Sequence, residues 1–99
     1  MSRYNYFRVI TVDGYDFPAE PQAQFGFLSD GMALLNRGNY TIEYSFDGQR
    51  IHGDLNPSDE SKGMIFDNRT ESAVWFRAVD GYGDVRLEVW GSWGRRSSY

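Results

Sequence analysis

The chain contains one histidine, His52, and it is followed two residues later by Asp54. Residues two apart on a strand point to the same face, so this carboxylate could orient the imidazole for acid–base chemistry. Nucleophilic catalysis also requires an activated Ser, Thr or Cys, and no nucleophile motif accompanies the pair. Because most roles of an acid–base site are unfilled, we assign no catalytic residue and expect that the protein is not an enzyme.

Metal and cofactor sites are equally poorly supported. Cysteine is absent, which excludes disulfides, and one histidine cannot form a zinc site unless carboxylates supply most ligands. The loops 56–60 and 80–84 contain oxygen ligands suited to calcium, but neither matches the twelve-residue EF-hand pattern. No glycine loop is followed by the Lys-Ser/Thr pair of a phosphate cradle. We therefore predict no metal and no cofactor.

Aromatic residues form 17% of the chain, and arginine supplies every basic residue except Lys62. Aromatic and arginine side chains are enriched at protein interfaces, although aromatic residues are also favoured in strands. We assign protein contacts to the tryptophans and to the arginines and tyrosine beside them: Trp75, Arg77, Trp90, Trp93, Arg95, Arg96 and Tyr99. Two alternatives remain, a carbohydrate-binding module using exposed tryptophans and a single-strand-binding OB-fold.

The formal net charge of −4 limits the partners. Duplex nucleic acid is bound largely by Lys and Arg neutralising phosphates, so we expect no duplex partner. The first residues lack the apolar segment of a secretion signal, and no segment is apolar enough to span a membrane. We expect synthesis in the cytosol and no membrane partner.

The dipeptide Asp47-Gly48 separates an alternating run, 40–46, from an extended run, 49–55. A type I′ turn needs positive φ at both central residues, and Asp-Gly accepts that conformation. The sequence predicts a tight two-residue hairpin here. Alternation then places Tyr40, Ile42, Tyr44 and Phe46 on one face.

Turn residues recur at short spacing along the rest of the chain. They separate predicted strands at 6–12, 23–28, 32–35, 40–46, 49–55, 63–66, 73–79 and 85–90. In the last strand, Val85, Leu87 and Val89 lie on a buried face, and the residues between them lie on a face that contacts solvent. The strand 73–79 is occupied on both faces, which is typical of a central strand or one covered by a partner. We predict an all-β antiparallel sandwich of seven to eight short strands, either jelly-roll or immunoglobulin-like.

The composition indicates one domain, 1–91, in which 13–24 is an irregular crossover with two prolines. Residues 92–99 have the composition of a free tail, which is normally disordered. The same residues would suit an arm anchored on a neighbouring subunit.

Four short segments carry a resemblance: Tyr44-Ser45-Phe46-Asp47-Gly48, His52-Gly53-Asp54-Leu55, Phe66-Asp67-Asn68-Arg69 and Val74-Trp75-Phe76-Arg77. Their succession resembles small β-sandwich structural proteins of tailed bacteriophages, over residues 25–90. Such proteins are head decoration, neck or tail components. The resemblance implies a non-catalytic virion protein, made in the host cytoplasm and contacting other virion proteins and copies of itself, as a homo-oligomer or bound to a lattice. Residues before 25 and after 91 have no counterpart in it.

Overall fold

The computed structural model describes residues 3–57 and 63–92. These residues form eight β-strands and no helix. The strands are β1 (Arg3–Asp13), β2 (Ala23–Gln24), β3 (Gly31–Asn36), β4 (Ile42–Ser45), β5 (Gly53–Leu55), β6 (Gly63–Phe66), β7 (Ala73–Ala78) and β8 (Tyr82–Ser92). All strand pairs are antiparallel, which confirms the predicted all-β sandwich.

The strands pair from the outside inwards along the chain: β1 with β8, β2 with β7, β3 with β6, and β4 with β5. This is one long hairpin folded over itself. Folding adds the lateral pairs β3–β8 and β4–β7, which gives sheet 1 in the order β1-β8-β3-β6 and sheet 2 in the order β2-β7-β4-β5. Eight strands in this order form a jelly roll, one of the two arrangements that the sequence left open.

The core lies between the inward faces of the two sheets. Val85, Leu87 and Val89 of β8 are completely buried, as their alternation predicts, and Val74 and Phe76 of β7 face them from sheet 2. Complete burial of one such side chain stabilises the fold by about 1.5–3 kcal/mol relative to exposure. This apolar layer fixes which face of each sheet points outwards.

Of the two alternatives left open for the strand 73–79, the structure shows the central position, since β7 lies between β2 and β4. Its β2 neighbour is only two residues long, so the predicted strand 23–28 is wrong beyond Gln24. Gly26 has a φ of 81°, which interrupts the extended backbone. The side-chain amide of Gln22 extends the edge instead, because its Nε2 donates to the Phe76 carbonyl at 2.7 Å and its Oε1 accepts from the Phe76 N–H at 2.9 Å.

The predicted two-residue hairpin at Asp47-Gly48 is wrong. Gly48 has a φ of 79°, but no residue other than glycine has a positive φ in the described chain, so Asp47 does not adopt the type I′ conformation. A two-residue turn would pair Phe46 with Gln49, whereas β4 and β5 pair Tyr44 with Gly53. The connection is therefore a wider loop, and the predicted strand 49–55 shortens to three residues.

Side-chain hydrogen bonds explain the wider loop. Asp47 Oδ1 accepts from the backbone N–H groups of Gln49 and Arg50 at 2.8 and 2.9 Å. Ser45 Oγ accepts from the N–H groups of Asp47 and Gly48 at 3.2 and 2.9 Å. Such bonds offer the backbone an alternative to ladder pairing. Together these bonds stabilise a loop in which the β4–β5 ladder is interrupted.

The Asp47 carboxylate should make the acid stability of the protein depend on this loop. The N–H groups of Arg50 and Gln49 hold the pKa of Asp47 well below its usual range. A folded pKa below the unfolded value of about 3.9 stabilises the fold above that pH, and the contribution is lost as the pH falls below it. We expect the urea midpoint of the wild type to fall more between about pH 5 and pH 2 than that of Asp47→Asn, which keeps an Oδ1 acceptor without titrating.

The matched control for this prediction is Asp67→Asn, at an exposed loop carboxylate. Its urea midpoint should follow the wild type across the same pH range. If the urea midpoints of the wild type and of Asp47→Asn fell equally with decreasing pH, the acid sensitivity would not come from the Asp47 carboxylate.

Candidate functional site

The predicted contact residues that the structure describes lie on opposite faces of the sandwich. Trp75 and Arg77 belong to β7 and point away from the core on the outer face of sheet 2, whereas Trp90 belongs to β8 and lies on the outer face of sheet 1. They do not form one site. The other predicted contact residues, Trp93, Arg95, Arg96 and Tyr99, lie outside the described residues.

Trp75 and Arg77 both have partners within the chain. Arg77 Nε donates to Glu43 Oε1 at 2.7 Å, and its guanidinium carbon lies 4.9 Å from the centroid of the Phe17 ring. The Trp75 ring covers the loop after β4, because a Cβ built on Gly48 would lie 2.8 Å from Trp75 Cε2. These contacts stabilise sheet 2 of the subunit itself.

Trp90 also contacts its own sheet. It pairs in register with Asn5 on one side and Gly31 on the other, and a Cβ on Gly31 would lie 2.7 Å from Trp90 Cζ2. The indole therefore lies against the bare backbone of β3. One ring face is occupied and the residue is half-buried.

The outer face of sheet 1 carries two rows of side chains across its four strands. In strand order, one row is Phe7, Glu88, Ala33 and Ile65. The next row is Val9, Arg86, Leu35 and Gly63. We call these eight residues the sheet-1 surface.

Much of the sheet-1 surface is apolar and open to solvent. Phe7 is 51% exposed, Val9 49% and Ile65 66%, and Ala33 and Leu35 between them are half-buried. Isolated exposed apolar residues are common, but here they form two groups, one on β1 and one on β3 and β6, on either side of the charged residues of β8. Clustered exposed apolar residues mark an interaction surface. The sheet-1 surface is therefore the strongest candidate for a functional site in the described residues.

One positive and one negative side chain lie in the middle of this surface. The guanidinium carbon of Arg86 is 5.1 Å from the Phe7 ring centroid. Neither Arg86 nor Glu88 takes part in an ion pair within 4.0 Å among the described residues. Both charges are thus available to a partner that brings opposite charges to the same places.

A groove of about 460 Å³ runs along the sheet-1 surface between β3, β6 and β8. Ala33 and Gly63, which are small, leave the space, and the side chains around it include Leu35, Ile65 and Arg86. A groove of this kind accepts an apolar side chain from a partner more readily than a flat sheet face does.

Sequence reasoning missed this surface although a signal was present. The run Met64 to Phe66 is apolar on both faces of its strand, and so is the run Phe7 to Ile10 apart from Arg8. This is the same pattern that singled out the strand 73–79. Applied to β1 and β6, the same reasoning would have indicated that the outer face of sheet 1 also carries apolar residues that a partner could bury.

The structure gives the His52 imidazole partners within its own loop. His52 lies in the loop before β5, its ring centroid is 5.2 Å from that of Phe46, and its Nδ1 accepts from the Phe46 N–H at 3.1 Å. Asp54 lies on β5, paired with Glu43. The imidazole nitrogen that faces the chain is thus used to hold the loop.

A buried aromatic cluster occupies the same end of the sandwich. Tyr44, Phe46 and Phe66 contact one another edge-on, and the Arg69 guanidinium carbon lies 4.3 Å from the Phe46 centroid. Burial, reinforced by the charge of Asp54, raises the pKa of the Tyr44 hydroxyl. The cluster joins β4 of sheet 2 to β6 of sheet 1, which is a packing role.

Residues 3–57 and 63–92 contain no group of three or more His, Cys, Asp or Glu side chains that could hold a metal ion. Within the same ranges there is no helix long and apolar enough to cross a membrane. No known family model matches the chain, and no curated protein matches it. The class that the structure defines is an eight-stranded antiparallel β-sandwich with jelly-roll strand order.

Proposed function

We propose that the protein is a non-enzymatic structural component of a tailed-bacteriophage virion, assembling on the capsid, neck or tail through protein–protein contacts. The observation that carries the proposal is the sheet-1 surface, with its exposed Phe7, Val9 and Ile65 around two charges that form no ion pair with any described residue. A surface of this kind has a physical reason to be covered by protein.

Two further arguments support the virion assignment. The segments between Tyr44 and Arg77 resemble small structural proteins of tailed phages. Jelly rolls are also common in viral capsid proteins, although lectins and cupins share the fold, so this second argument is one of fold analogy. Carbohydrate binding by the described tryptophans is less well supported, because Trp75 and Trp90 are both half-buried against their own sheets.

The proposal is tested on particles produced by the genome that encodes this chain. Quantitative mass spectrometry of gradient-purified, salt-washed particles should find the wild-type chain in many copies per particle. We expect Ile65→Glu to reduce its incorporation at least about tenfold, because a charge placed within an apolar contact must be desolvated without a partner.

Ile51→Glu is the matched control, since Ile51 is 48% exposed but lies in the loop between β4 and β5. Its incorporation should equal that of the wild type. Washed particles that lack the wild-type chain would contradict the virion assignment. Equal incorporation of the two variants would contradict the use of the sheet-1 surface.

A further inference from the structure

We infer that the sheet-1 surface binds a second copy of this chain, face to face, about a two-fold axis that crosses the strands above Leu87. The inference rests on the proposed function in that both use this surface for protein contact, and it adds the partner and the geometry. The register of the two rows and the charges that they carry support this arrangement.

The axis determines which residues meet. A two-fold axis lying between the two sheets and perpendicular to the strands places each strand over its own image, running in the opposite direction. Residues in the row of Glu88 then face residues in the row of Arg86 of the second copy. The contact is isologous, so every pair of residues occurs twice.

Charge complementarity selects this axis. Arg86 and Glu88 are two residues apart on the central strand β8 and point to the same face. With the axis across the strands, Glu88 lies opposite Arg86 of the second copy, and the reciprocal pair forms at the same time. An axis parallel to the strands and directly above β8 would place Arg86 opposite Arg86, and like charges in an apolar contact are costly.

On β3 and β6, the same axis pairs large side chains with small ones. Ile65 faces Gly63 of the second copy, Ala33 faces Leu35, and the two neighbours on β1 face each other as Phe7 and Val9. Ile65 would thereby enter the groove of about 460 Å³ above Gly63. Alternation of large and small residues allows two sheets to pack at the usual spacing of about 10 Å.

The local charge balance also favours a second copy. The chain as a whole carries a net charge of −4, which opposes self-association at long range. The eight residues of the sheet-1 surface include one arginine and one glutamate, so this patch is neutral. An unrelated partner would need the opposite order of charges at matching spacing, whereas a second copy provides it by symmetry.

Charge exchange tests the inference on the full chain by sedimentation equilibrium and by size-exclusion chromatography with light scattering. The wild type should form a dimer. Arg86→Glu alone and Glu88→Arg alone should each raise the dimer dissociation constant at least about tenfold, because each places like charges opposite each other twice. The double variant Arg86→Glu/Glu88→Arg should return to within about threefold of the wild type.

Mixing provides a second readout. Arg86→Glu and Glu88→Arg, each defective alone, should form a heterodimer when combined in equal amounts, because two glutamates of one variant then face two arginines of the other. Circular dichroism and thermal unfolding at low concentration establish that each variant is folded. If one single variant does not fold, the double variant and Ile65→Glu, which should also be monomeric, decide the question.

A wild type that stays monomeric at millimolar concentration would overturn the inference. So would a dimer that is unaffected by the single exchanges, or a double variant that does not recover. The particle experiment separates the two proposals. Monomeric protein with incorporation that depends on Ile65 would overturn only the second-copy inference, and a charge-dependent dimer missing from particles would overturn only the virion assignment.

Discussion

Replacing Phe76 with alanine should lower the free energy of unfolding by about 3–5 kcal/mol. Phe76 is completely buried and lies on the inward face of β7, at the centre of sheet 2. The substitution removes most of an aromatic side chain and leaves a cavity that the two sheets cannot close. Small domains have a total stability of about 5–15 kcal/mol, so the variant should be marginally folded. Urea denaturation followed by circular dichroism measures the loss.

The same substitution at Phe7 is the matched control. Phe7 is 51% exposed on the outer face of sheet 1, and its removal leaves no internal cavity. At low protein concentration, where association does not contribute, Phe7→Ala should change the free energy of unfolding by less than about 1 kcal/mol. Equal losses at the two positions would show that the core does not lie between the sheets as described.

Replacing Asn36 with leucine should cost about 3 kcal/mol of stability, although the two side chains have the same number and branching of non-hydrogen atoms. Asn36 ends β3 and is 1% exposed. Its Nδ2 donates to the carbonyls of Leu55 and Tyr40 at 2.8 and 2.7 Å, and its Oδ1 accepts from the Gly38 N–H at 2.9 Å. Leu55 belongs to sheet 2, so this amide joins the two sheets. Leucine leaves these backbone groups without a hydrogen-bond partner, and each buried unsatisfied group lowers the stability by about 1–3 kcal/mol.

Two further variants sharpen the test of Asn36. Asn39→Leu, at an exposed position three residues away, should change stability by less than about 0.5 kcal/mol. Asn36→Asp keeps the acceptor but loses both donated bonds and buries a charge, so at neutral pH it should destabilise more than leucine does. A loss of under about 0.5 kcal/mol for Asn36→Leu would show that the amide does not hold the sheets together.

Local patterns predicted the elements well where packing and local preference agree. The alternation of Val85, Leu87 and Val89 correctly identified the buried face of β8, and the doubly apolar strand around Trp75 has the central position, one of the two alternatives that its pattern left open. Both features depend only on the side-chain period of two. The predicted two-residue hairpin at Asp47-Gly48 was wrong because the Ser45 and Asp47 side chains bind backbone N–H groups. These bonds compete with ladder pairing, and the turn preference of a dipeptide does not include them.

The assignment of Trp75 and Arg77 to partner contacts stays a prediction. Within the chain, Trp75 lies against Gly48, and Arg77 contacts Glu43 and Phe17. Residue type alone does not distinguish a side chain that covers its own sheet from one that binds a neighbour. The distinction depends on which strand lies alongside.

The sequence by itself determined the fold class, the number and approximate place of the strands, and the inward face of the strands that alternate. These properties follow from side-chain spacing along the chain and from turn residues between the runs. Only the tertiary structure decided the jelly-roll order and the sheet-1 surface. That surface combines residues from β1, β3, β6 and β8, and pairs such as Phe7 with Glu88 are distant in sequence. Their register is set by how the whole hairpin folds over, which no local pattern encodes.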